Sequence, residues 1–251
     1  MFVPHMPVIR HSLGETHCRY TGVSFMKGFG KGLSSMAITA LIGLGASFAN
    51  AQDVNVCGEL TAGFGPFDYR VETKRLELVE RFHFGRAQEN LTKRPLTGLA
   101  SNLSYTLNSF PNHHRALMAM LKLGFREKAA HVRGATYSVE CYMIRGERWR
   151  PDDPMVKAIH GLFLLKSGRT QEAVAKFETA RTLNSNNANV NYNLGLAYFQ
   201  IKDYDKALES AHRAYAQGFP LPGLREKLQR AGKWREPGVQ NTSAGAEGGQ
   251  E

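Results

Sequence analysis

The sequence lacks the short patterns that carry most hydrolytic, phosphate-binding and metal chemistry. It has no Gly-x-Ser-x-Gly, no glycine loop of the phosphate-cradling kind and no Cys-x-x-Cys-His, which removes the usual signatures of nucleophilic-serine, nucleotide and covalent haem sites. Metal ligands at fixed spacing are missing too, with neither Cys-x-x-Cys nor His-x-x-x-His in the chain. A histidine-rich stretch remains as the alternative: His83, His113, His114 and His131, with Glu80, Glu127 and Cys141 near in sequence. Neighbouring His113 and His114 would diverge by about 100° on a helix, so a shared site is not expected, and the residues read better as caps, stacking rings or solvent-facing groups. No catalytic residue, metal or cofactor is expected.

Long apolar runs are absent as well. The run over 36–48 is interrupted by Gly43 and Gly45 and falls short of the roughly 20 residues that cross a bilayer. With Lys27 and Lys31 before it and Ala49-Asn50-Ala51 after it, residues 26–51 have the layout of a secretory signal peptide; a retained membrane anchor is the alternative. Residues 1–25 show no periodic pattern, and translation is expected to begin at Met26, an unusually long leader being the other possibility. Val54-Asn55-Val56 before Cys57 does not fit a lipid-modified cysteine. No stable membrane span is expected after cleavage.

Cysteine is scarce, with three in 251 residues. Cleavage after Ala51 would remove Cys18 and leave Cys57 and Cys141, an even pair that in an exported chain favours a disulfide. Two buried free thiols are the alternative. Cleavage would also take Arg10, Arg19, Lys27, Lys31 and Glu15, leaving 28 basic against 21 acidic side chains and a net charge of +7. Such a balance favours acidic partners or anionic surfaces, but the cations are spread along the chain without a nucleic-acid motif, so no nucleic-acid partner is expected.

What the sequence does contain is a repeat. Residues 154–187 and 188–221 are each 34 long, and their small residues coincide: Gly161 with Gly195, Ala173 with Ala207, Ala180 with Ala214. Antiparallel helices approach closely only where one carries Gly or Ala. Gly161 and Gly195 are therefore expected to meet Ala173 and Ala207, with Ala180 and Ala214 admitting the next unit. Phe177, Leu183, Leu194, Tyr198 and Leu208 recur at helical spacing and would fill the seam. Asp153 before Pro154, and Asp203, read as helix starts, and Gly168 and Gly218 as stops.

This 34-residue spacing resembles the tetratricopeptide repeat. Subtracting 34 from the second helix places an imperfect copy upstream, with Met143, Gly146, Trp149 and Pro151 at the positions of Phe177, Ala180, Leu183 and Ser185. Its second helix is expected over 138–150 and its first over 112–124, the two joined by a lengthened loop. The resemblance implies an all-α solenoid of antiparallel helix pairs with three units at 112–153, 154–187 and 188–221. Leu224, Leu228 and Ala231 mark a helix that would cap the array. Residues 52–111 form a helical extension, with helices over 73–91 (Leu76, Val79, Phe82) and 98–110 (Leu99, Leu103, Leu107), and 57–70 an ordered loop. A polar tail over 237–251 is expected to be disordered.

The resemblance also implies a protein-binding groove lined by the second, fifth, ninth, twelfth and thirteenth positions of each unit. In the two regular units these are Met155, Ala158, Leu162, Leu165 and Lys166, then Asn189, Tyr192, Leu196, Phe199 and Gln200. The lining is apolar and aromatic, pointing to a docked peptide or helix anchored by Tyr192 and Phe199. Members that clamp a C-terminal carboxylate carry Lys and Asn where Ala158 and Leu162 stand, and only Asn193 fits that pattern. The expectation is thus a periplasmic interaction scaffold with a protein partner, the alternative being an accessory subunit whose groove is filled by its own extension.

Overall fold

A computed structural model describes residues 57–61, 63–92 and 96–237. The expected leader and tail lie outside the described residues, apart from Pro237. The described residues form ten helices and no strand: α1 Thr73–His83, α2 Arg86–Glu89, α3 Leu96–Ser109, α4 His114–Glu127, α5 Val139–Trp149, α6 Pro154–Lys166, α7 Thr170–Leu183, α8 Ala188–Gln200, α9 Tyr204–Ala216 and α10 Gly223–Arg230. None of them is long and apolar enough to cross a membrane.

Local chemistry sets the helix starts. Asp153 accepts from the Met155 and Val156 amides with Pro154 in the first turn, and Ser138, Asn187 and Asp203 each accept from an amide three residues on, satisfying donors that have no partner inside the helix. Gly168 follows α6 with φ of +80°; Lys202, at the same place in the next unit, holds φ of +66°, a left-handed conformation that costs about 1 kcal/mol in a residue with a Cβ.

The helices pair as α4/α5, α6/α7 and α8/α9, and α10 closes the series by packing on both α8 and α9. The small residues do what close packing asks, with one change of partner. A Cβ on Gly195 would stand 3.3 Å from the Ala207 carbonyl oxygen and 2.4 Å from Leu224 Cδ2, whereas one on Gly161 would strike the Phe177 ring at 3.0 Å rather than Ala173. In the first unit, a Cβ on Gly146 would come 2.9 Å from Val156 Cγ1 of α6, so Gly146 admits the next unit as Ala180 does later. Gly124 faces Val139, whose Cγ2 would lie 2.6 Å from an added Cβ. Val139 precedes Ala173 by 34 residues while Gly124 precedes Gly161 by 37, so the linker between α4 and α5 holds three additional residues.

Phe177, Leu194, Tyr198 and Leu208 are buried. Leu183, expected with them, is 44% exposed at the last residue of α7. Leu224 and Leu228 of the capping helix are buried, but Ala231 lies beyond its end and is exposed. In the extension, the expected single helix over 73–91 breaks where Phe84 turns inward, its ring edge-on to His113 and beneath Arg115. Val79 is buried, whereas Phe82, in the last turn of α1, is 65% exposed.

Residues 57–61 and 63–70 form an ordered loop held at several points. Cys57 and Cys141 are bonded. The buried Arg145 guanidinium donates to the Cys57, Gly58 and Glu59 carbonyls at 3.0, 3.3 and 2.5 Å, and the Trp149 indole donates to the Phe67 carbonyl at 3.2 Å. Buried Asn112 completes the attachment, accepting from the Tyr69 amide and donating to Asp68 and Asp153.

Candidate functional site

With Gly124 equivalent to Gly161 and Gly195, the first helices of the three units come into register. Met118, Met155 and Asn189 occupy one row; Leu121, Ala158 and Tyr192 the next; then Phe125, Leu162 and Leu196; α4 ends at Glu127, so Leu165 with Phe199 and Lys166 with Gln200 continue the rows on α6 and α8 alone. Met118, Met155, Ala158, Leu162, Leu165, Asn193, Leu196 and Phe199 are half-buried, Lys166, Asn189 and Gln200 are exposed, and Phe125 is 38% exposed. This is a strip of apolar side chains that pack at their bases on the core and keep their ends in solvent. Met118 and Phe125 belong to it although strict counting by 34 misses them; the signal was Gly124, the small residue that marks the true register.

Two expected anchors fare differently. Phe199 keeps a half-open ring, edge-on to Tyr204 at 5.4 Å. Tyr192 does not: it is 9% exposed, stacked on Phe219 at 4.1 Å, with its hydroxyl against Gly223. The connection from α9 to the capping helix folds over it, because the last unit has no successor to cover that position. Tyr192 therefore seals the end of the array. The extension covers other ground, since α1 and α2 pack on α3, and α2 and α3 on α4, and Phe199 and Leu196 rest on the core built from the second and third units and the cap.

Counting by 34 also missed the polar junction between the first two units. His160 on α6 is 4% exposed and lies between two carboxylates of α5: Nδ1 is 2.7 Å from Glu147 Oε1, and Nε2 is 3.7 Å from Glu140 Oε1. Lys176 of α7 pairs with Glu147 at 2.6 Å, and Arg169 with Glu140 at 2.6 Å. Burial opposes charge on His160, but the two glutamates outweigh it and raise its pKa. Burial would raise Glu147, yet His160 and Lys176 bring it down to about 2. The signs give a window. The raised His160 stabilises the fold below its unfolded value of 6.5 and loses that contribution as pH climbs through its folded value. The lowered Glu147 contributes above 4.5 and loses this as pH falls toward 2. The stability advantage of the parent over His160→Gln is accordingly expected to be largest between pH 4.5 and 6.5 and to shrink in alkaline buffer, read from urea midpoints; an advantage that grows with pH would refute it.

The other histidines are engaged one by one. His113 Nδ1 accepts from the Ala116 amide, which leaves the proton on Nε2 to be donated to Glu80 at 3.0 Å, and burial lowers its pKa. His114 meets Asp153 at 2.9 Å, His83 meets Asn102 and stacks on Tyr105, and His131 reaches the Ala135 carbonyl. Among the described residues no three His, Cys, Asp or Glu side chains are grouped to hold a metal ion.

Helix pairs repeating every 34 residues, with Gly and Ala at the close approaches and a capping helix, agree with a direct family match: the tetratricopeptide repeat pattern fits residues 160–220. Residues 160–220 carry tetratricopeptide repeats. The match covers most of the two regular tetratricopeptide units, and the first unit is placed by the packing of Gly124 and Gly146. No protein of curated function matches the sequence. Among solved structures, the chain is similar to MamA, 17% identical over 62% of this chain and 80% of that one with a TM-score of 0.47. It is also similar to PilF of Pseudomonas aeruginosa, 18% identical over 63% of this chain and 69% of that one with a TM-score of 0.48. At those values neither likeness informs partner or pathway. The tetratricopeptide fold belongs in general to protein-interaction scaffolds.

Proposed function

We propose that this protein is an exported interaction scaffold of the cell envelope, a periplasmic adaptor that docks a helix or peptide along the strip from Met118 and Phe125 to Leu196 and Phe199. The observation that carries the reading is the half-exposure of this apolar strip on the first helices of all three units. A folded chain that keeps such side chains in water gains free energy when a partner's apolar face covers them, about 25 cal/mol for each Å² removed, and rigid aromatic rings serve well as anchors. The Cys57–Cys141 bond supports the export half of the reading, since disulfides persist in oxidising compartments.

The test is crosslinked capture from the envelope fraction with the parent and with Phe125→Ala, Phe199→Ala. Both rings are partly exposed, so the variant is expected to fold while its partner affinity drops about tenfold or more. A partner seen with the parent and lost with the variant supports the groove; the same proteins with both, or none with either, would overturn it. Amino-terminal sequencing of the mature product, expected to start at Gln52, tests export separately.

A further inference from the structure

The two ends of the strip share an arrangement that the middle lacks. At one end Lys166 Nζ stands 5.9 Å from the centre of the Phe125 ring, which also meets Phe163 at 5.8 Å. At the other, Lys227 Nζ of the capping helix stands 5.7 Å from the Phe199 ring, and Lys233 Nζ stands 5.6 Å from the Tyr204 ring that Phe199 touches. Each ring comes from one unit and its cation from the next element along the array. Lys176 and Lys206 find carboxylates, whereas Lys166, Lys227 and Lys233 pair with none among the described residues. No Asp or Glu stands at any of the groove positions given above.

An apolar side chain that docks on Phe125 or Phe199 must also strip water from the ammonium over that ring. Cation–ring attraction at such sites is modest, about 0.5–1 kcal/mol, and does not offset the loss of hydration by itself. A neutral ligand leaves the lysine poorly solvated, and a basic one adds repulsion; a ligand with a carboxylate beside its apolar anchor pairs the charge as it covers the ring. We infer that the groove selects an acidic amphipathic segment of a protein partner, with apolar residues on one face and carboxylates at both ends of that face. This inference rests on the groove reading above and adds the charge of the ligand to it.

The experiment is selection of a random 16-residue peptide library on the chain purified as produced, followed by binding of the enriched peptides to Lys166→Ala, Lys227→Ala and to Leu196→Asp. Both lysines are exposed, so the first variant leaves the core untouched, and circular dichroism confirms the fold of each. The expected result is peptides with Asp or Glu flanking apolar residues. Their affinity should fall about five- to tenfold in the lysine variant, and likewise when salt is raised from about 0.05 to 0.5 M. Neutral or basic peptides that bind the lysine variant as well as the parent, yet fail on Leu196→Asp, would overturn the inference and leave the groove standing. Peptides indifferent to Leu196→Asp, or no enrichment at all, would overturn both.

Discussion

Gly195→Leu is expected to unfold the third unit and its cap while the first unit survives. The position has no spare volume on either side: the first atom of a side chain already lies 2.4 Å from Leu224 Cδ2, 3.3 Å from Ser210 Cβ and 3.3 Å from the Ala207 carbonyl oxygen. Leu224 is fully buried and could swing away only by opening the contact between α10 and α8, and the carbonyl belongs to helix backbone that cannot yield locally. The remaining atoms of the leucine therefore force α8 from α9, from α10, or from both. Overpacking a single site costs about 1–3 kcal/mol; two faces pressed at once should exceed about 3. In a stacked array each unit is stabilised chiefly by its neighbours, so the loss should appear first as fast hydrogen exchange over 188–230 with protection retained in α4 and α5. A urea curve that superimposes on the parent would sink the packing account. Gly98→Ala is the control, because nothing lies within 4 Å of an added Cβ there, and alanine should stabilise α3 by about 0.5–1 kcal/mol through helix propensity.

Removal of the disulfide is the other large effect. Cys57 and Cys141 are 84 residues apart, and opening a loop of that length returns roughly 4–5 kcal/mol of chain entropy to the unfolded state. The bond does more than close a loop, because it holds the Cys57, Gly58 and Glu59 carbonyls over the Arg145 guanidinium. Should the loop lift away, Arg145 would be a buried cation without acceptors, a state that costs several kcal/mol unless water enters. Cys57→Ser, Cys141→Ser is accordingly expected to lower the urea midpoint strongly and to be indifferent to reductant, while the parent falls toward it when reduced. A parent midpoint that does not move with reductant would show that other contacts hold the loop.

The helix starts and the repeat itself were legible because both are local rules. A cap needs a side-chain oxygen next to its own amides, so Asp153 and Asp203 could be read without knowing their neighbours. A close helix crossing needs a residue without bulk, so Gly195, Ala207 and Ala214 announce the pair wherever it sits. The pairing of Cys57 with Cys141 was legible for a different reason, since the expected loss of Cys18 leaves no other partner.

Which face a helix buries, and under what, was decided elsewhere. Gly161 packs on the Phe177 ring because phenylalanine reaches further across the crossing than Ala173. Tyr192 is covered because the connection from α9 to α10, carrying Phe219, and Gly223 at the start of α10 fill the place that a following unit would take. His160 sits between two carboxylates in the interior because α5 brings Glu140 and Glu147 to it from the preceding unit. The sequence by itself determined the period, the capping and the small residues, since these depend on neighbours along the chain; the open strip, the sealed Tyr192 and the charged junction arise from side chains far apart in sequence, whose burial is set only when the units stack.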